Sequence, residues 1–444
     1  MNLTRRNWFR MSAGAAAFSR FGAMNAFAQS TATDYKALVC IFMLGGNDGH
    51  STVIPMAASE YSAYKTIRGS LAIPDTNVKL LPVSTPTGGA YALNDGLAAV
   101  HPLWGQGKLA VLANTGMLLK PLSRAEYLGQ SAPVPTNLFS HSDQVVQMQT
   151  GLTSGGTGWA GRAIDQIESL NGTSTFPSSI SMAGPAIFCT GNQVQSASLI
   201  PGFDMDLYGM SLWPQSAADA RRQGLQEILT LDSGLSVVQA ANKVRQDALD
   251  LSSMLRSITN GSPIATPFPG TSLGQQLADV AKIIKLRSST GLHRQVFFCS
   301  LGGFDTHGSQ SWTQWDLLQQ LSGAMSAFYN ATVELGVADS VTLFTESEFG
   351  RTLQPSGQGS DHGWGNHHLI LGGAVKGGDL YGRFPVMALG GPDDSGSRGA
   401  MIPSTSMDQY GATLASWFGL NAAQLSAVFP NLANFTNSNL GFMS

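Results

Sequence analysis

The chain has 444 residues, of which 43% are apolar and only 12% charged, with a formal net charge of −3. So small a charged share excludes a disordered polyelectrolyte, and the slight acidic balance offers no basic surface for nucleic acid. With 51 Gly and 20 Pro but no collagen-like period, the composition is that of a folded protein with many tight loops, and the length allows one large domain or two ordinary ones.

In chain order, Arg5-Arg6 precedes Trp8-Phe9-Arg10, a weakly apolar stretch follows from Met11 to Phe18, and Ala26-Phe27-Ala28 supplies small residues for cleavage. These are the three parts of an export signal, and the paired arginines point to the twin-arginine route. The expectation is a signal over residues 1–28, a single domain over 29–444, a periplasmic or otherwise exported location, and the twin-arginine translocase as a partner during export. Removing residues 1–28 takes away four arginines and no acid, leaving 21 basic against 28 acidic residues, a formal charge of −7. After residue 30 no uninterrupted apolar run reaches the roughly 18 residues of a membrane span.

Four apolar runs predict strands buried on both faces: Ala37–Leu44, Leu109–Ala113, Gln295–Leu301 and Val341–Thr345. Each leads into a loop rich in Gly or acids. Helical spacing is read over Ala217 to Ser257, Leu273 to Leu286, Ser311 to Leu335 and Met407 to Phe418. The helix-rich block about 215–290 reads as an insertion or subdomain. Alternation of strand and helix predicts an α/β fold, three-layer α/β/α with a largely parallel central sheet. In such sheets ligands bind at the carboxyl ends of the strands, where these loops lie. Of the three cysteines, Cys40 and Cys299 sit inside apolar runs and read as buried small hydrophobes.

Five of the eight histidines (His50, His307, His362, His367, His368) fall in Gly-rich segments that also hold acids. Imidazole and carboxylate together are the usual ligands of divalent ions. Asp48, in the turn after the first strand, is a ligand or ordinary turn chemistry. Asp305 and His307 share one side of an extended segment and can grip one ion, the alternative being a cap on the following helix. Glu346 and Glu348 repeat that spacing, and would repel one another without a cation, a proton or a salt bridge to Arg351 or Arg383. Asp361 to His368 reads as a glycine-flexible loop dense in histidine, in which the adjacent His367 and His368 face opposite ways. Ser140, His141 and Ser142 precede a helix read over Gln144 to Thr150, whose positive end favours anions. They hold either a nucleophile activated by a nearby metal or a plain cap. His-Glu-x-x-His, CxxC, phosphate-loop and Gly-x-Ser-x-Gly signatures are absent.

Gly45-Gly46-Asn47-Asp48, Gly303-Phe304-Asp305-Thr306-His307, Ser347-Glu348-Phe349-Gly350-Arg351-Thr352 and Asp361-His362-Gly363-Trp364-Gly365, followed by Leu371 to Gly378, resemble the twin-arginine-exported bacterial family catalogued as domain of unknown function 1501. That family is similar to the alkaline phosphatase and sulfatase superfamily. The resemblance implies an alkaline-phosphatase-like fold with one ion on Asp305, His307 and His362. A second would lie on Asp48 and Glu348 beside a nucleophile at Ser140, His141 or Ser142. Phe349 stands where a ligating His or Asn would be, Glu348 replaces Asp, and no sulfatase Cys-x-Pro-x-Arg is present. The expected activity is metal-dependent hydrolysis of phosphate or sulfate esters on a small anionic or polymeric substrate, with one or two divalent ions (Zn, Ca, Mg or Mn). Arg351 or Lys376 would hold the anion. The alternatives are an exported binding protein without catalysis, and a phospho-group transferase using the same site.

Overall fold

Along β1 (Lys36–Leu44) successive side chains enter opposite cores: Val39, Ile41 and Met43 one, Leu38, Cys40 and Phe42 the other. A strand can be apolar throughout only if both of its faces are covered. The computed structural model describes residues 34–444 apart from 77–78, 175, 203–209, 211, 232–233 and 260–262; the expected export signal lies outside the described residues.

The further strands are β2 (Val53–Pro55), β3 (Leu80–Ser84), β4 (Ala90–Asn94), β5 (Leu109–Gly116), β6 (Ser179–Ser181), β7 (Ala197–Ser198) and β8 (Arg294–Gly302). They are followed by β9 (Val341–Glu346), β10 (Arg351–Ser356), β11 (Gly359–His362), β12 (Asn366–Gly372), β13 (Leu380–Gly382) and β14 (Thr405–Ser406). The central sheet runs β13-β5-β12-β9-β1-β8-β6-β7, with β14 also on β5. Its pairings are parallel except for the two made by β12. Helices Ser272–Lys285 and Gln310–Glu334 cover one face through Leu277, Ile284, Leu318 and Met325. Helices Trp159–Ile167 and Met407–Phe418 cover the other through Trp159, Ile164, Tyr410 and Leu414. This is the expected three-layer α/β/α architecture on a largely parallel sheet. The three cysteines are buried and unpaired.

Two expectations are corrected. The helix read over 217–257 is two helices, Gln215–Thr230 and Ser236–Thr259. The segment read as a histidine-rich loop contains the end of β11 and the start of β12. His367 and His368 lie in the interior of the sheet. The Asn114 amide donates to His367 Nδ1 at 3.0 Å, and His368 stacks on Tyr410. Burial pushes the His368 imidazole down to about 3 and His367 well below its ordinary value, so both serve as neutral core residues.

Glu346, at the end of β9, is fully enclosed and accepts the Trp159 indole N–H at 3.2 Å, with the Cys40 thiol also beside its carboxylate. Burial pushes its carboxyl up to about 8 from an ordinary 4.5, the Trp159 bond opposing in part. Between those values the folded protein holds a proton that the unfolded chain releases. Stability therefore falls as pH rises through that window, by about 5 kcal/mol. Glu346→Gln is expected to flatten the fall; urea unfolding of both proteins at pH 5 and pH 8 measures it.

Candidate metal centre

Order in the site begins with two glycines. Gly45 follows β1 at φ +115°, and a Cβ there would lie 2.3 Å from the Asp305 backbone nitrogen. Gly46, at φ +77°, would drive a Cβ into the Phe349 ring. Only glycine admits both the left-handed backbone and these close approaches. The chain leaving β1 is thereby laid against the loops leaving β8 and β9. These three strands are adjacent and parallel, so Asp305, His307, Glu348 and Phe349 meet at one edge of the sheet, as the topology anticipates.

Two further elements close the site. The hairpin β10–β11 delivers His362 at its end. The helix His141–Thr150 delivers His141 from its first turn. Three imidazole Nε2 atoms then surround one carboxylate oxygen. Asp305 Oδ1 lies 2.9 Å from His307, 3.5 Å from His141 and 3.5 Å from His362. His362 Nε2 is 3.1 Å from both His141 Nε2 and His307 Nε2. Tetrahedral donors at metal–nitrogen bonds of about 2.0–2.1 Å sit roughly 3.3 Å apart, so these spacings suit one small cation. Two overlapping sets can hold an ion: His141, Asp305 and His362, and His307, Asp361 and His362.

The surrounding hydrogen bonds fix the tautomers. His141 Nδ1 is 2.8 Å from Glu348 Oε1, and His362 Nδ1 is 2.7 Å from the Phe139 carbonyl. Neither oxygen can donate, so each Nδ1 carries the hydrogen and each Nε2 keeps its lone pair. Phe139 presents that carbonyl from the left-handed region, at φ 71°. Two lone pairs thus oppose one another across 3.1 Å, an arrangement that repels unless a cation or a proton lies between them. Burial pulls the Asp305 carboxyl upward, but the Arg351 hydrogen bond and charge, with His307 and His141, hold it below its usual value. The Glu348 hydrogen bond lifts His141 above its ordinary value against the opposing pull of burial. Phe349 is buried and packs its ring on His141 and His362, at 4.7 and 4.9 Å between centroids.

The structure brings together the expected Asp305, His307 and His362 and adds His141 as an imidazole of the cluster. Other expected residues sit differently. Glu348 stands behind His141 and accepts the Gly45 amide. It is separated from Glu346, which faces the Trp159 core. Asp48 is fully buried in an ion pair with Arg68, and its Oδ2 also accepts a bond from Gln310, while Oδ1 has no hydrogen-bond partner. Ser140 turns its hydroxyl onto Asp143 at 2.6 Å, and Ser142 also contacts that carboxylate. The Arg351 side chain is fully enclosed and donates to Asp305 Oδ1, the Gly45 carbonyl and the Ser360 carbonyl. It positions Asp305 and offers no open face to an anion. Lys376 follows β12, which runs away from this edge, and so lies at the opposite end of the sheet. Phe139 carried no signal in the sequence, because its contribution is a backbone carbonyl. In metal-free protein, nitrogen-15 NMR is expected to show the neutral forms of His141 and His362 both as Nδ1–H tautomers. His141 should titrate above 6.5, and Glu348→Gln should lower that value.

Residue comparisons add a lineage. None of the curated proteins matches this chain. Among solved structures, the PsFucS1 sulfatase from Pseudoalteromonas sp. shares 9% identity at a TM-score of 0.35, covering 92% of this chain and 71% of its own. Ps i-CgsB, in complex with k-i-k-neocarrahexaose, shares 7% at 0.35, covering 91% and 78%. The lipoteichoic acid synthase LtaP from Listeria monocytogenes shares 6% at 0.34, covering 88% and 74%. Residues 35–395 match the family described as Protein of unknown function (DUF1501), and over that span the chain belongs to it.

Proposed function

We propose that the protein is an exported metal-dependent hydrolase of phosphate or sulfate esters, working with one divalent ion. The observation that carries this reading is the opposition of the His141 and His362 lone pairs beside Asp305 Oδ1. A donor set of three imidazoles and one carboxylate suits zinc or a similar ion better than calcium or magnesium. An ion held by His141, Asp305 and His362, or by His307, Asp361 and His362, would act as a Lewis acid, lowering the pKa of water and neutralising charge that develops on an ester.

The chain's own groups supply the rest. Glu348 and the Phe139 carbonyl hold His141 and His362 in the ligating tautomer, and Arg351 keeps Asp305 ionised and oriented. Phe349 closes one side of the imidazoles, while Asp305 and His307 remain about half exposed, which leaves a route for an ester. The helix beginning at His141 points its positive end to the same place, which favours an anionic group. The commitment of Asp48 to Arg68, together with Phe349, supports one ion in place of two. The twin-arginine signal supports export, and no helix among the described residues is long and apolar enough to cross a membrane.

A second reading, a binding protein without catalysis, is favoured by the turning of Ser140 and Ser142 onto Asp143, which leaves no serine nucleophile at the cluster. Elemental analysis and turnover of p-nitrophenyl phosphate and p-nitrophenyl sulfate separate the two. The hydrolase reading expects about one ion per chain, activity lost to a chelator and restored by zinc, and a fall of about a hundredfold or more in Asp305→Ala. A bound ion without turnover of either ester turns the assignment to the binding reading; protein that takes up no ion overturns both roles for the cluster.

A further inference from the structure

The helix Gln310–Glu334 starts directly after the loop that holds His307, and its first turns carry two tryptophans on one side, Trp312 and Trp315. Their rings lie 5.0 Å apart between centroids at 33°. Trp312 is 68% exposed, an unusual state for the largest apolar side chain. It does not stand on a convex surface. Both indoles line a groove of about 500 Å³ with Ser70, Ile73, Lys79 and Asp95, a size ordinary for small-molecule sites.

The polar groups of the groove are set in place. Asp95 Oδ2 accepts the Trp315 indole N–H at 3.0 Å and Lys79 Nζ at 3.1 Å. Lys79 also lies 5.5 Å over the Trp315 ring. Trp315 is thereby fixed as a platform, and Trp312 leans on it with most of its surface free. Gln314 belongs to the same lining; it is 1% exposed, and its Oε1 has no hydrogen-bond partner.

We propose that this groove is a saccharide-binding subsite. A sugar ring presents C–H groups on its faces and hydroxyls around its rim. It therefore fits an aromatic platform edged by an acid, a lysine and serine hydroxyls. Among the described residues of the lining, the one cation, Lys79, is paired with Asp95, which leaves no surplus positive charge among them for a nucleotide or another polyanion. The inference stands on the groove alone and does not depend on the reading of the histidine cluster. Were both to hold, the ester would be borne on a glycan.

Affinity gel electrophoresis of the full protein in β-glucan, galactan, alginate and chondroitin sulfate tests the subsite. At least one polymer is expected to retard the protein. Trp312→Ala should weaken that retardation about tenfold or more, while ion content and thermal midpoint stay at the wild-type level, since Trp312 supports little of the core. Asp305→Ala should retain the retardation, which separates failure of this subsite from failure of the ion centre. No retardation by any of the four polymers, or equal retardation of Trp312→Ala, overturns the proposal, as does Trp312-dependent binding to lipid vesicles or to a protein in place of sugar.

Discussion

Two imidazole nitrogens that face one another with their lone pairs are the constraint around which this site is organised. Neither His141 nor His362 can relieve the conflict by changing tautomer. To do so it would have to give up the bond to Glu348 or to the Phe139 carbonyl. Nor can the rings swing apart, because Phe349 packs against both. The fold therefore spends stability on an arrangement that only a positive charge makes favourable. Arg351 contributes to the same end from below, fixing Asp305 through a guanidinium whose donors are committed to Gly45 and Ser360.

The topology explains why such distant residues meet. β9, β1 and β8 are neighbours and parallel, so the chain leaves all three at the same edge. The hairpin β10–β11 stays over that edge and ends on His362. From there the chain has no crossover helix with which to return for another parallel strand. It descends directly as β12, the one strand that runs against the rest. An antiparallel neighbour needs only a short connection. The reversed strand is thus the geometric consequence of delivering His362 to the site, and it carries His367 and His368 into the core.

What could be read from the sequence follows the strength of its physical signals. The continuous apolar runs marked β1, β5, β8 and β9 because a strand covered on both faces has no polar side. Asp305 and His307 were legible from their spacing after such a strand, and His362 from its Gly-rich, acid-rich setting. β12 was obscured by the polar Asn366, His367 and His368 at its start, whose burial depends on Asn114 and Tyr410 in other elements. Glu346 and Glu348 looked like a pair, but the chain turns out of β9 between them, sending one into the Trp159 core and the other behind His141. His141 stood out as a helix opener and a possible nucleophile. Its part in the cluster depends on Glu348, 207 residues away, a contact that no local pattern encodes.

The pairing of Asp48 with Arg68 bears on how many ions the site can use. A carboxylate buried this completely needs a counter-charge, since removing one member of a buried ion pair costs about 3–5 kcal/mol. Here the counter-charge is built into the chain on the helix Ala58–Arg68. A guanidinium is charged at every ordinary pH and cannot exchange with solvent, whereas an ion could dissociate. Gln310 donates to Asp48 Oδ2 and Ser51 accepts from Arg68, while Asp48 Oδ1 has no hydrogen-bond partner. The chain has thus placed a permanent positive charge beside the carboxylate on which the resemblance implied a second ion, while His141, Asp305, His307 and His362 gather in the cluster that faces solvent.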